Sequence, residues 1–115
     1  MDIPGTGAER RQQKRRDLRT TAHVVVAGKQ LVEVRTLDIS SGGLGIAAAL
    51  NPPAGATFHI RLHLPIRPGR RTAIEAQVEV THSVYGSVER NFKIGLRFLN
   101  LDSETRSVIT QFVEG

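Results

Sequence analysis

The sequence predicts an all-β fold, a six-stranded antiparallel barrel carrying one short C-terminal α-helix. Three observations lead there. Residues 57–64, 72–84 and 91–99 alternate apolar and polar side chains with a period of two, as strands buried on one face do. Clusters rich in Gly, Pro, Asn and Asp separate the β-forming runs at intervals of roughly 8 to 14 residues. The last apolar segment instead follows a helical spacing. Closure into a barrel hides the edges that so small a sheet would otherwise expose.

Residues 1–8, with Pro4, Gly5 and Gly7, are expected to form a flexible tail. Residues 9–21 read as a basic arm. The stretch 9–19 holds one apolar side chain, Leu18, so it has no face to bury in a core, although its residue types would tolerate a helix. Residues 22–115 form the barrel and its helix. The first two strands are Ala22 to Ala27 and Gln30 to Ile39, joined by a tight turn at Gly28-Lys29. Leu44 to Leu50 is a short third strand, ended by Asn51-Pro52-Pro53-Ala54-Gly55.

Thr57 to Leu64 is the fourth strand, with Phe58, Ile60, Leu62 and Leu64 facing inward. Pro65 to Arg71, with two prolines and a glycine, reads as a loop. In the fifth strand, Thr72 to Val84, the inward set is Ile74, Ala76, Val78, Val80, His82 and Val84. After a turn over Tyr85 to Glu89, Asn91 to Leu99 directs Phe92, Ile94, Leu96 and Phe98 inward. Asp102-Ser103-Glu104 looks like a helix start, and Ser107 to Val113 a short amphipathic helix using Val108, Ile109, Phe112 and Val113.

A chain of 115 residues is long enough to bury one core unaided. It contains no cysteine, which excludes a disulfide framework and a thiolate metal site and fits a reducing compartment. No apolar run approaches the roughly 18 residues of a spanning helix, so a cytoplasmic protein without membrane attachment is expected. The formal charge is +5, and residues 9–19 supply +4 of it: Arg10, Arg11, Lys14, Arg15, Arg16 and Arg19 stand against Glu9 and Asp17. So local a concentration of positive charge points to an anionic partner.

Arg11, Arg15 and Arg19 give two overlapping R-x-x-x-R pairs. With thirteen arginines in the chain the spacing alone is weak, and Arg67 with Arg71 repeats it in a presumed loop. What adds weight is the pattern D-x-S-x-x-G between the second and third strands, carried by Asp38, Ser40 and Gly43. By itself it reads equally well as a turn, because Asp and Ser bond their own backbone and Gly accepts positive φ. Ser41 and Gly42 lie inside it.

Arm and turn together resemble the PilZ domain family, bacterial receptors for the second messenger cyclic di-GMP. That family sets R-x-x-x-R just before its first strand and [DN]-x-S-x-x-G after its second. Gly43-Leu44-Gly45-Ile46, Pro53-Ala54-Gly55 and Gly95-Leu96-Arg97-Phe98 add to the likeness, which spans residues 10 to 113. The resemblance implies the six-stranded barrel with its helix, and a cyclic di-GMP site at Arg15, Arg19, Asp38, Ser40 and Gly43. Arg10, Arg11, Lys14, Arg16, Ser41, Gly42 and Arg97 would be its auxiliaries.

Two registers of the arginine motif stay open. Glu9-Arg10-Arg11 followed by Arg15 matches the common family opening, whereas Arg15 with Arg19 has the usual distance to the valine run and is favoured. Lys14 stands where an arginine favours a stacked ligand dimer in the family, which leaves one or two ligands per chain open. The resemblance further implies an adaptor that signals to an effector protein, with no cofactor and no metal.

The chemistry suits the residue types. A guanidinium fork meets guanine O6 and N7, or two phosphate oxygens, in bidentate fashion and also stacks on a purine. Asp38 accepts from guanine N1–H and N2–H₂, and Ser40 bonds a phosphate or fixes Asp38. Catalysis is not expected, since Ser40 has no base beside it. His59 and His63, about 13 Å apart along a strand, are too distant to share a metal. Two other functions compete. A nucleic-acid-binding barrel with a basic arm is disfavoured by one tyrosine and four mostly inward phenylalanines, which leave no stacking platform. A PilZ-like protein-interaction module that binds no nucleotide is disfavoured by the intact motifs.

Overall fold

A computed structural model describes residues 14–26, 30–88 and 90–115. Seven strands and one helix follow in order: β1 (Arg15–Asp17), β2 (Thr21–Val26), β3 (Gln30–Ser40), β4 (Gly43–Ala48), β5 (Thr57–Arg67), β6 (Arg70–Gly86), β7 (Asn91–Leu99) and α1 (Ser103–Glu114). Six of the strands close an antiparallel, barrel-like ring, β3-β2-β5-β6-β7-β4, through the pairing of β3 with β4. The expected six-stranded arrangement is therefore present, and β1 is added outside it on the end of β3.

The ring forms because alternate residues of each strand are apolar and meet at its centre. Val24, Val34, Ile46, Ile60, Val78 and Ile94 are all buried there. Along β5, Ile60, Leu62 and Leu64 are buried as their alternation predicts, and Phe58 is half-buried. The hairpin turn expected at Gly28-Lys29 lies outside the described residues.

Three departures from the expected pattern share a physical cause. Pro65 to Arg71 is not a loop: β5 runs to Arg67, β6 starts at Arg70, and only Pro68 and Gly69 turn, with Gly69 at φ +73°. Pro65 is tolerated because β2 pairs with β5 only at residues 59–61 and a bulge interrupts the β5–β6 ladder between Leu64 and Arg67. In β6, Val80 pairs with Leu96 but His82 pairs with Gly95, so Thr81 is an extra residue. This bulge reverses the alternation, and His82 and Val84, expected inward, are exposed. In β3, Thr36 pairs with Ile46 and Asp38 with Gly45, so Leu37 is extra in the same way.

The segment before β2 also buries more than its composition suggested. Leu18 is 5% exposed and joins the core, although the arm was not expected to hold a core residue. Thr36, buried on β3, donates its hydroxyl to the Leu18 carbonyl and accepts from Thr20 N–H at 3.0 Å. Leu18 N–H donates to the Leu37 carbonyl at 3.0 Å. These bonds and the apolar plug hold the chain against β3 where it enters the ring.

Helix α1 begins at Ser103 with Asp102 as its cap, as the Asp102-Ser103-Glu104 start signal predicts, and so extends one turn ahead of the apolar stretch Ser107 to Val113. The Asp102 carboxylate accepts from Thr105 N–H at 2.7 Å, and Ile109 and Phe112 are its buried residues. That bond to Thr105 holds the Asp102 carboxyl below its ordinary value. A carboxylate lowered in the folded chain stabilises above its unfolded pKa and loses that contribution as pH falls through the folded value. Thermal melts of Asp102→Ala and the parent protein should thus differ at pH 7 and converge as the pH drops below the ordinary carboxylate range. A difference that persists unchanged at pH 2 would contradict this role.

Candidate functional site

The bulge at Leu37 is the first element of the site. Val34 and Thr36 point inward, so strict alternation would bury position 38 as well; the extra residue brings Asp38 to the outer face. There the carboxylate lies over Gly45 of the neighbouring strand. A Cβ at Gly45 would stand 2.6 Å from Asp38 Oδ1, so glycine leaves the space the carboxylate fills. From the other side β1 pairs Arg15 with Ser40 and Asp17 with Asp38. This register brings the Arg15 guanidinium onto Asp38: Nε donates to Oδ2 and Nη2 to Oδ1, both at 3.3 Å. Half of the Arg15 side chain and a third of the Asp38 side chain remain exposed, so the pair adds little stability and chiefly sets orientation.

Arg15 and Asp38 border an outer trough of about 190 Å³, whose lining also includes Arg19, Gly45, His82, Lys93 and Gly95. Arg19 is exposed and makes no ion pair among the described residues. The structure thus brings together Arg15, Arg19 and Asp38. Ser40 is placed differently. It is fully buried, and its Oγ accepts from Gly42 N–H and Gly43 N–H at 3.2 Å each, so its hydroxyl organises the turn between β3 and β4. Gly43 is buried as well: a Cβ there would overlap the Leu96 carbonyl oxygen of β7. Gly42 accepts from Phe98 N–H at 3.0 Å, and Ser41 is exposed beside it.

The auxiliary cations divide. Arg10 and Arg11 lie outside the described residues. On the short strand β1, Arg16 faces opposite to Arg15; its Nη1 donates to the Phe112 carbonyl at 2.6 Å and its guanidinium sits 4.2 Å above the Phe112 ring. Lys14 pairs with Glu114 at 3.3 Å. Both therefore serve the C-terminal end of α1, whose last turn has no basic residue of its own. Arg97, on β7 beyond Gly95, is paired with Glu79.

Sequence reasoning missed the opposite border of the trough, His82 and Lys93. It also gave Gly45 and Gly95 no role beyond family likeness. A glycine inside a strand pattern is a signal of close approach, but it does not say what approaches. A mostly apolar depression of about 420 Å³ is lined by core residues such as Val24, Val34, Ile46 and Ile94, with His59 and Gln77 also in its lining. Among the described residues no helix is long and apolar enough to cross a membrane, and no three acidic or imidazole side chains gather as metal ligands.

A barrel-like ring with an N-terminal strand laid over a glycine-floored outer trough defines a small β domain whose cations and carboxylate face solvent together. The chain belongs to the PilZ domain family, whose model matches residues 9–115. No curated protein matches its sequence. Among solved structures it is similar to the Bacillus subtilis inhibitor of motility MotI/DgrA, with TM-score 0.80 and 17% identity, over 90% of this chain and 49% of that one. It is also similar to the PilZ domain of Escherichia coli YcgR with c-di-GMP, with TM-score 0.67 and 16% identity, over 91% and 89%. The K. pneumonia MrkH–c-di-GMP complex matches with TM-score 0.68 and 13% identity, over 87% and 49%. The chain therefore spans about half the length of MotI and MrkH, and nearly all of the YcgR domain.

Proposed function

We propose that this chain is a receptor for cyclic di-GMP and that Arg15, Arg19 and Asp38 form the recognition group. The observation that carries the reading is the Arg15 fork on Asp38 above Gly45, with Arg19 on the same trough, in a PilZ domain whose solved relatives include c-di-GMP complexes. It supports the Arg15/Arg19 register, because both side chains line that trough. Asp38 reads the guanine donors, and the two guanidiniums meet guanine O6/N7 or phosphate. Ser40 acts through the turn it bonds, and Gly43 through the packing it permits.

Binding exchanges the Arg15–Asp38 pair for contacts with the ligand. That exposed pair is worth about 0–1 kcal/mol, so the exchange costs little. Since residues 15–17 already pair with β3, the ordering of the arm on binding involves less of it than its composition suggested. The liganded surface then signals to an effector protein in the cytoplasm, and the domain acts as an adaptor.

Isothermal calorimetry with cyclic di-GMP, and with GTP and cyclic GMP as controls, tests the reading. Arg19→Ala and Asp38→Ala should each weaken binding at least tenfold, about 1.4 kcal/mol. Arg67→Ala, in the β5–β6 hairpin, should leave it unchanged. Absence of binding by the parent protein below about 100 μM, near 5.5 kcal/mol, would refute it.

A further inference from the structure

Arg67 and Arg71, which repeat the R-x-x-x-R spacing, do not line the trough. They lie on the hairpin of β5 and β6, where Arg67 pairs directly with Arg70 across the two strands. Like charges in facing positions of a sheet oppose its stability. Residues 62–74 supply Arg67, Arg70 and Arg71 and no carboxylate to offset them. All three arginines are exposed, and none makes an ion pair among the described residues. Farther along the same strands the arginines are matched. Arg61 of β5 pairs with Glu75 of β6 at 3.0 Å, and Arg97 of β7 pairs with Glu79 of β6. The unanswered charge is therefore confined to the hairpin.

That hairpin borders a groove. Two adjoining hollows of about 310 and 640 Å³ share Arg16, Pro65, Arg71 and Phe112 and run between the hairpin and the C-terminal end of α1. Arg19 lines the smaller hollow, and Arg67 and Arg70 line the larger. Five guanidiniums thus surround the groove against one acidic side chain, Asp17. Pro65, Ile66 and Pro68 give it an apolar wall.

We propose that this groove is a docking site for an acidic segment of a partner protein, one that carries carboxylates beside an apolar side chain. The groove shares only Asp17 and Arg19 with the trough, and the proposal stands independently of the cyclic di-GMP reading. Guanidinium forks donate to carboxylates in bidentate fashion, so an acidic segment relieves the repulsion between Arg67 and Arg70. Its apolar side chain packs on Pro65 and Ile66. The concave shape disfavours a lipid surface, which would meet the tip of the hairpin but not Arg16 and Arg71, where the hollows join. A nucleic-acid strand would find no ring to stack on, since Phe112 is 4% exposed.

Fluorescence polarisation on the full chain tests the assignment with a short labelled peptide of alternating glutamate and leucine. Its glutamine counterpart is the neutral control. The parent protein should bind the acidic peptide at least tenfold tighter than the neutral one, and added salt should weaken it. Arg67→Glu and Arg71→Glu should each weaken the acidic peptide at least tenfold. Arg67→Glu places a carboxylate opposite Arg70, so its melting temperature should not fall below the parent's. Arg106→Glu, exposed on α1 outside the groove, makes the same change in net charge and should leave peptide affinity unchanged.

Equal losses from Arg67→Glu and Arg106→Glu would reduce the effect to net charge and overturn the proposal. So would failure of the parent to prefer the acidic peptide, or tighter binding of a single-stranded oligonucleotide or of phosphatidylglycerol vesicles. Loss of cyclic di-GMP binding by Arg67→Glu would make the groove part of the ligand site and overturn it as well. A parent protein that binds the peptide but no cyclic di-GMP would refute the receptor reading and leave this one standing.

Discussion

Replacing Phe112 with alanine should lower the free energy of unfolding by about 3–5 kcal/mol, read from the denaturant midpoint at unchanged slope. Phe112 is 4% exposed and packs with Ile109 and Leu18 in the core cluster, where α1 meets the ring. Truncation opens a cavity at that contact and also removes the ring beneath the Arg16 guanidinium. Phe112→Leu keeps most of the volume and the backbone carbonyl, so its smaller cost contains the cation–π part, about 0.5–1 kcal/mol for a partly exposed pair. Arg16→Ala in the Phe112→Leu background should then cost less than in the parent. A loss below 1 kcal/mol for Phe112→Ala would show that α1 does not seal the ring.

Alanine at positions 43 and 45 should produce opposite signatures, although both glycines lie in the same strand. At Gly43 the new Cβ falls on the Leu96 carbonyl oxygen, part of the β4–β7 backbone pairing and unable to turn aside. Overpacking of that kind costs about 1–3 kcal/mol, and the melting temperature should fall accordingly. At Gly45 the new Cβ meets the Asp38 carboxylate, the free end of a side chain that can rotate away. Stability should change by less than about 0.5 kcal/mol. The carboxylate would, however, leave its place beside Arg15, and cyclic di-GMP binding should drop at least tenfold. Melts and calorimetry on the two variants measure both effects, and equal losses of stability would remove the distinction.

The same two glycines show how far the sequence was legible. Asp38, Ser40 and Gly43 stand out because they are close in the chain and of the types that make turns or bind ligands. Their division of labour does not. Ser40 is fully buried, its hydroxyl taken up by the Gly42 and Gly43 N–H groups of the turn, whereas Asp38 keeps a third of its side chain exposed and faces Arg15. Arg15 and Arg16 look equivalent in a basic run, yet a strand sends neighbouring side chains to opposite faces, one to Asp38 and one to Phe112.

His82 was misplaced for the converse reason. Alternation through Ile74, Ala76, Val78 and Val80 predicts it inward, and only the bulge at Thr81 brings it out.

The sequence by itself determined the β class, all six ring strands to within a few residues, the helix near the C-terminus, the clustering of charge, and the residues whose chemistry suits a purine dinucleotide. These follow from local properties: period-two alternation, turn-forming residues, and charge counted along the chain. Only the tertiary structure decided where alternation breaks, which side of β1 meets the site, and which border faces Asp38. A bulge is defined by the partner strand as much as by the strand that carries it. Gly45 and Gly95 become one floor only when β4 and β7 pair, a contact between segments far apart in the chain.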